Sequence, residues 1–335
     1  MHCKAPTNDL ETSNEFVYTA NTIKFIVGGD SGMNNMVQWL VITSLSLLVG
    51  CEQTTEKHYE LTYTEKPTDG KTLTYQFAIH PLYNPQKLIQ RYQPLIDYLN
   101  RHLQGVQLSL EASRDYQAYE QKYQLRNPEI LLPNPWQTTQ AIQYGYQVIA
   151  MAGAPQDFKG VFIARKDAMP ESPLALKGKV VSYPSYTALA ACVMPQYFLH
   201  KNGIDVQKDI QNTYVGSQES SIMNVYLGKS SVAATWPPPW RAFQKDYPKE
   251  ASELALVWET ESLMNNSVMV RDDLPQTIKS QLQTLLTTLS TSTEGRSILA
   301  AMETSDFYSA DNANYHVVSE YLANFERDVR KIDQP

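Results

Sequence analysis

From residue 72 to residue 273 the chain alternates between two hydrophobic periods, and that alternation narrows the fold more than any single motif. TLTYQFAIHP (72–81) alternates into an apolar run and stops at a proline, which is a strand pattern. From Asn84, Leu88, Tyr92, Leu95, Ile96, Leu99 and Leu103 recur at three and four, the spacing of a helix with one apolar face. Strands follow over 106–113, 128–135, 146–153 and 160–167, with helices over 116–125 and 136–144 between them. A second set starts at 177: strands over 177–184, 213–217, 231–236 and 254–260, interleaved with helices over 186–201, 218–228 and 237–246. A late strand (265–273) and three helices (275–288, 293–303, 311–330) complete the chain. Strand–helix alternation of this length calls for parallel or mixed sheets covered by helices on both faces. The expected fold class is α/β with two lobes. Residues 73–163 and 265–330 form the first lobe and 164–264 the second, joined by two crossings near 163–168 and 260–266. Ligands of open α/β sheets sit at strand carboxyl ends. Two lobes facing each other therefore enclose one cleft, which a hinge can close.

The N-terminal part has a different character. Val37 to Gly50 carries no charge and ends in LLVGC, after which EQTTEKHYE is polar at once. Fourteen residues are too few to span a bilayer, which takes about 20, but they suit the apolar region of a secretory signal. LLVGC resembles the lipobox of bacterial lipoproteins, and this likeness implies lipidation of Cys51 and a membrane anchor. No Lys or Arg lies between Lys24 and Cys51. Met33 and Met36 are alternative starts, each leaving a short polar lead into the apolar run. Residues 1–50 are thus expected to be an upstream extension plus signal peptide, and 51–72 a polar tether.

Removal of residues 1–50 leaves 285 of the 335 residues. The first fifty carry two lysines and four carboxylates, so the remainder holds −5 of the net −7. A mildly acidic chain without a basic stripe is not a nucleic-acid binder. The cysteines are Cys3, Cys51 and Cys192, so the mature chain keeps one unpaired thiol, Cys192, within the apolar ALAACVM. It forms no internal disulfide and no cysteine-based zinc site. The histidines at 2, 58, 80, 102, 200 and 316 show no metal spacing. No nucleophile elbow, zincin helix or phosphate loop is present, and a binder without metal or cofactor is expected rather than an enzyme.

Several blocks then carry a family likeness: FAIHPLYNPQKLIQRYQPLIDYLN, PEILLPNPWQ, VFIARKDA with LKGKVVSYPSYTALAACVMPQYFL, and TYVGSQESSIMNVYLGKSSVAA. In order and spacing they resemble the periplasmic phosphate/phosphite/phosphonate-binding proteins of ABC transporters. The resemblance runs from about Leu73 to Asp273. It implies a type II periplasmic-binding fold and a small anionic ligand between the lobes, most simply a phosphorus oxyanion. It also implies a monomer on the periplasmic side of a bacterial membrane, serving an ABC permease or presenting its ligand to a sensor kinase. The oxyanion is expected on N–H groups of the turn Ser185-Tyr186-Thr187-Ala188. A helix start offers unpaired donors, although Ser185 or Thr187 can equally be a plain cap. His80 and Tyr83 are expected as donors from the first lobe, together with the Asn134-Pro135-Trp136 turn, where relatives often carry tyrosine instead of tryptophan. The second lobe reads Gly216-Ser217-Gln218 where relatives often have glycine-serine-histidine. Binders of aminoalkyl phosphonates have an acid where this chain has Trp236, followed by PPPW to Trp240. These tryptophans either line the cleft, which disfavours a free amine or suits an apolar ligand, or form a packed wedge.

Overall fold

The computed structural model describes residues 73–334. Strand β1 (Leu73–Ile79) enters half-exposed and ends on Phe77, Ala78 and Ile79, all fully buried. Helix α1 (Pro85–His102) begins where Asn84 accepts the Lys87 N–H at 3.0 Å. Pro85 stands in the first turn, where its missing N–H costs nothing. The helix buries Leu88, Tyr92, Leu95, Ile96 and Leu99, as its spacing requires. Then come β2 (Val106–Glu111), α2 (Tyr116–Gln124), β3 (Ile130–Leu132), α3 (Pro135–Gln143) and β4 (Tyr146–Ala152). The chain leaves this sheet and builds β5 (Val161–Arg165), β6 (Val180–Tyr183), α4 (Met194–Lys201), β7 (Gln211–Tyr214), α5 (Gln218–Tyr226), β8 (Val232–Thr235), α6 (Pro237–Asp246), α7 (Pro248–Ser252) and β9 (Leu254–Glu259). It returns through β10 (Asn266–Arg271) and finishes with α8 (Gln276–Thr287), α9 (Thr293–Ala301), β11 (Phe307–Ser309) and α10 (His316–Asp328).

The first sheet has the order β11-β4-β10-β3-β1-β2 and the second β7-β6-β8-β5-β9. β1 runs parallel to β2 and β3, and β6 parallel to β7 and β8. The returning strands β10 and β11 are antiparallel to their partners. One boundary differs from the sequence reading. β5 pairs antiparallel with β8 and β9, so 161–163 belong to the second lobe, and the first crossing is 153–160 rather than 163–168. VFIAR is apolar throughout and has no period to show which sheet it joins; only its partners decide. β11 was read as loop, being three residues with a single buried side chain, Phe307.

The two crossings are laced together. Gly160 N–H donates to Thr260 Oγ1 and Thr260 N–H to the Gly160 carbonyl, both at 2.9 Å. Leu263 N–H reaches the Phe158 carbonyl at 2.9 Å, and Asn265 Nδ2 the Ala154 carbonyl at 2.8 Å. Gly153 has φ +96, and a Cβ there would lie 2.6 Å from Asn265 Nδ2. A Cβ on Gly160 would lie 2.7 Å from the Ala190 carbonyl oxygen. Glycine at both positions lets the crossings lie against each other and against the second lobe.

The C-terminal helices were expected on the first lobe. α8 packs on β4 and β11, and α9 on α1. α10 does more: it packs on α3 of the first lobe and also presents Tyr321 and Phe325 to Tyr197 of the second. Tyr197 OH donates to Asp328 at 2.9 Å, and Arg330 donates to Gln196 Oε1 at 2.8 Å and to the Tyr186 carbonyl at 3.0 Å. The end of α10 and Arg330 just after it are therefore a third tie between the lobes.

The second lobe's aromatic packing supplies a stability test. Phe162 is fully buried, 5.4 Å from Phe198 and 5.6 Å from Trp258 between ring centres. Phe162→Ala is expected to lower unfolding free energy in urea by about 3–5 kcal/mol, the usual loss for an emptied aromatic site.

Candidate ligand-binding site

β6 ends at Tyr183, and Pro184 turns the chain into the second lobe's candidate anion site. The turn uses its own donors. Ser185 Oγ accepts the Thr187 N–H at 3.3 Å, and the Ser185 carbonyl accepts the Ala188 N–H at 3.2 Å. The following helix opens as a π-turn over Leu189–Val193, and its first ladder bond runs from Val193 N–H to the Ala188 carbonyl at 3.2 Å. A five-residue reach leaves the N–H groups ahead of Val193 outside the ladder. The free N–H groups thus lie beyond the expected turn Ser185–Ala188, on Leu189, Ala190 and Ala191. All three face the void between the lobes, as does Ala188.

His80, Tyr116, Asn134, Phe158, Gln218, Trp236 and Asn266 complete the lining. The void measures about 10 Å³, about the room one water requires, because the lobes are shut on each other. Thr187 is held from the first lobe at two points: its Oγ1 donates to Glu120 Oε1 at 2.8 Å, and its carbonyl accepts from Asn134 Nδ2 at 3.2 Å. Asn134 also caps α3, in a reciprocal capping box with Gln137. Gln218 Nε2 donates across the cleft to Tyr116 OH at 3.3 Å, and Gln218 Oε1 accepts from Thr235 Oγ1 at 2.8 Å. At the rim Lys87 lies 2.7 Å from both Glu219 and Asp246, and Arg91 lies 2.9 Å from Asp246.

The residues expected at the site fall into three groups. His80, Asn134, Ala188, Gln218 and Trp236 line the void. Ser185 and Thr187 brace the turn from behind it. The others lie elsewhere. Tyr83 borders a neighbouring void with Leu82, Tyr92 and Asn265, and the Arg91 guanidinium lies 4.9 Å from its ring centre. Trp136 is buried in the first lobe. Tyr186 packs edge-on to Tyr214 at 5.9 Å. Ser217 caps α5 by accepting the Ser220 N–H at 3.1 Å. Trp240 stacks on Phe243 at 6.0 Å in the second lobe's smaller apolar cluster, so the wedge reading holds for it. Trp236 borders both voids, its ring 5.5 Å from Phe158.

His80 differs from expectation in chemistry rather than place. Its Nδ1 lies 2.8 Å from the Leu132 carbonyl, and burial lowers its pKa to about 4. The ring is neutral and its one N–H is taken, so it does not donate to an anion. Tyr116, Phe158, Leu189, Ala190, Ala191 and Asn266 were not anticipated. Asn265-Asn266 was the readable signal, a polar pair entering the buried strand SVMV. Cys192 is fully buried with its thiol pushed up to about 12, and Glu219 spends its carboxylate on Lys87 and on Tyr247 OH at 2.8 Å. Among the described residues no cluster of metal-ligating side chains occurs.

The family model for the phosphonate periplasmic substrate-binding protein of ABC transporters matches residues 77–315. The chain belongs to this family. The probable ABC transporter phosphite-binding protein PhnD1 of Prochlorococcus marinus is 27% identical over 135 residues, 38% of this chain and 46% of the relative, so the match spans about half of that relative's length. A binding protein component of an ABC phosphonate transporter from Pseudomonas aeruginosa superposes with TM-score 0.71 at 18% identity, covering 77% of this chain and 88% of that one. The structure of Prochlorococcus marinus PhnD1 in complex with methylphosphonate gives TM-score 0.69 at 20% identity, covering 76% and 98%. The architecture of this phosphonate-binding family member is that of the type II periplasmic binding proteins.

Glu120 makes the closed cleft sensitive to pH. Burial is the main cause that raises its pKa to about 7, against the hydrogen bonds from Thr187 and Gln137, which lower it. A carboxyl raised in the folded state is penalised once ionised. The penalty is absent below the ordinary carboxylate range, grows as pH rises, and is complete above about 7, reaching at most roughly 3 kcal/mol. Wild type should lose urea stability relative to Glu120→Gln between mildly acidic and neutral pH, and the gap should vanish in acid.

Proposed function

We propose that this family member is a lipid-anchored solute-binding protein that captures a small phosphorus oxyanion for an ABC importer. The observation that carries the reading is that Leu189, Ala190 and Ala191, whose N–H groups stand outside the helix ladder, line a small void together with polar side chains from the facing lobe. Helix-start donors in a dry cleft suit a compact anion, and each charge-assisted hydrogen bond contributes about 1.5–3 kcal/mol. Three or four of them, less ordering and desolvation, support micromolar capture. Trp236 supplies no carboxylate for an ammonium group, which disfavours aminoethylphosphonate. Binding rather than catalysis is supported by the motifs the chain lacks and by its family. Cys51 and the apolar run before it lie outside the described residues; the anchor rests on LLVGC and its polar tether alone, and with it the periplasmic face of the membrane.

Calorimetry on ligand-free protein with phosphate, phosphite, methylphosphonate and aminoethylphosphonate tests the ligand class. Micromolar binding of at least one of the first three is expected, with aminoethylphosphonate the weakest of the four. Ala190→Pro, which deletes one N–H at a position tolerant of proline, should weaken the best ligand by about 10–100-fold. No heat with any of them refutes the reading. For the anchor, Cys51→Ala should move the protein from the detergent phase to the aqueous phase on partition; unchanged membrane partition would count against lipidation at Cys51.

A further inference from the structure

His80 sits at the end of β1 with 2% of its surface exposed, on the wall of the void that faces the N–H row. Its Nδ1 lies 2.8 Å from the Leu132 carbonyl oxygen, an atom that can only accept, so Nδ1 carries the ring hydrogen. Nε2 of the neutral ring then holds a lone pair and no hydrogen. Burial keeps the ring neutral, with its pKa lowered to about 4. The titratable groups packed against it are Tyr116 and Tyr119, at 6.2 and 6.4 Å between ring centres, both with hydroxyls pushed far up by burial. Glu120, on the same helix, spends one carboxylate oxygen on Thr187 and Gln137. No lysine or arginine lines the void. Asn266 lines it too, and its side-chain oxygen is buried without a hydrogen-bond partner. One wall is thus rich in hydrogen, and the wall opposite holds a nitrogen lone pair and an amide oxygen that the protein leaves unmatched.

We propose that His80 is a specificity-determining acceptor, which selects oxyanions that still carry an acidic hydrogen. The proposal rests on the reading of the cleft as an oxyanion site. The class it names is the hydrogen phosphonate or hydrogen phosphite monoanion: the charged oxygens meet the N–H row, and the P–OH group donates to Nε2. Sulfonates and sulfate have the same tetrahedral shape but no such hydrogen. One of their oxygens would then face the Nε2 lone pair, and a buried acceptor left facing an acceptor is strongly disfavoured.

The test is calorimetry in mildly acidic buffer with methylphosphonate and methanesulfonate, which match in size and differ in the acidic hydrogen. Wild type should bind methanesulfonate at least about 100-fold more weakly than methylphosphonate. His80→Asn keeps an amide N–H near the Leu132 carbonyl and lacks the second acceptor. It should lose methylphosphonate affinity by about 10–100-fold and bring the two affinities close together. His80→Gln places a donating amide near the Nε2 position and should bind methanesulfonate more tightly than wild type does. Equal affinities in wild type, within about threefold, overturn the inference while leaving the oxyanion reading in place. Discrimination that survives unchanged in both variants overturns it as well, since the acceptor would then lie elsewhere. Binding of neither probe by wild type refutes the oxyanion reading, and this inference with it.

Discussion

The cleft depends on where the helix after Ser185 begins. Its first ladder bond runs to the Ala188 carbonyl, so the N–H groups of Leu189, Ala190 and Ala191 stand outside the ladder. The turn's own hydrogen bonds are not its only support. Thr187, just before it, is fixed from outside: Glu120 takes its hydroxyl and Asn134 its carbonyl, both from the first lobe. Gly160 is fitted beneath it, with no room for a Cβ against the Ala190 carbonyl. The turn of one lobe is therefore braced by side chains of the other.

Closure is balanced rather than forced. The rim pairs of Lys87 and Arg91 with Glu219 and Asp246 are partly exposed, and each such pair is worth no more than about 1 kcal/mol. Arg241 bridges Asp157 and Glu303 on another part of the same seam. Against these stands the burial of Glu120, whose ionised form the closed cleft disfavours. Terms of similar size and opposite sign leave a few kcal/mol for a bound ligand to decide, which is the range in which populations respond to it.

Much of this was legible in the residues. The alternating periods carried the α/β class, the two lobes and nearly every helix. Cys192 is buried, as its apolar surroundings imply; Asn134, read as a ligand contact, is also the cap of α3, and His80, Gln218 and Trp236 come together around one void. What escaped has physical reasons. β5 is apolar on both faces, and its sheet depends on partners a hundred residues away. The displacement of the free N–H groups by a few residues depends on where the helix begins, which no capping side chain announces in TALAACV. Tyr83 and Trp240 are aromatic residues beside the expected site, and composition does not separate a lining ring from a packed one; Trp240 packs on Phe243. The chemical role of His80 turned on which of its nitrogens finds a carbonyl, a fact of geometry alone.

The third tie between the lobes bears on how they can move. Two adjacent crossings, laced by Thr260, Leu263 and Asn265, behave as a narrow ribbon, which both bends and twists easily. Asp328 at the end of α10 and Arg330 just after it fasten the second lobe again, at Tyr197 and Gln196 on α4 and at the Tyr186 carbonyl before it. A ribbon with a separate stay at one side resists torsion and leaves flexion free. Relative motion of the lobes, held at three places, is then more confined than two crossings alone would make it.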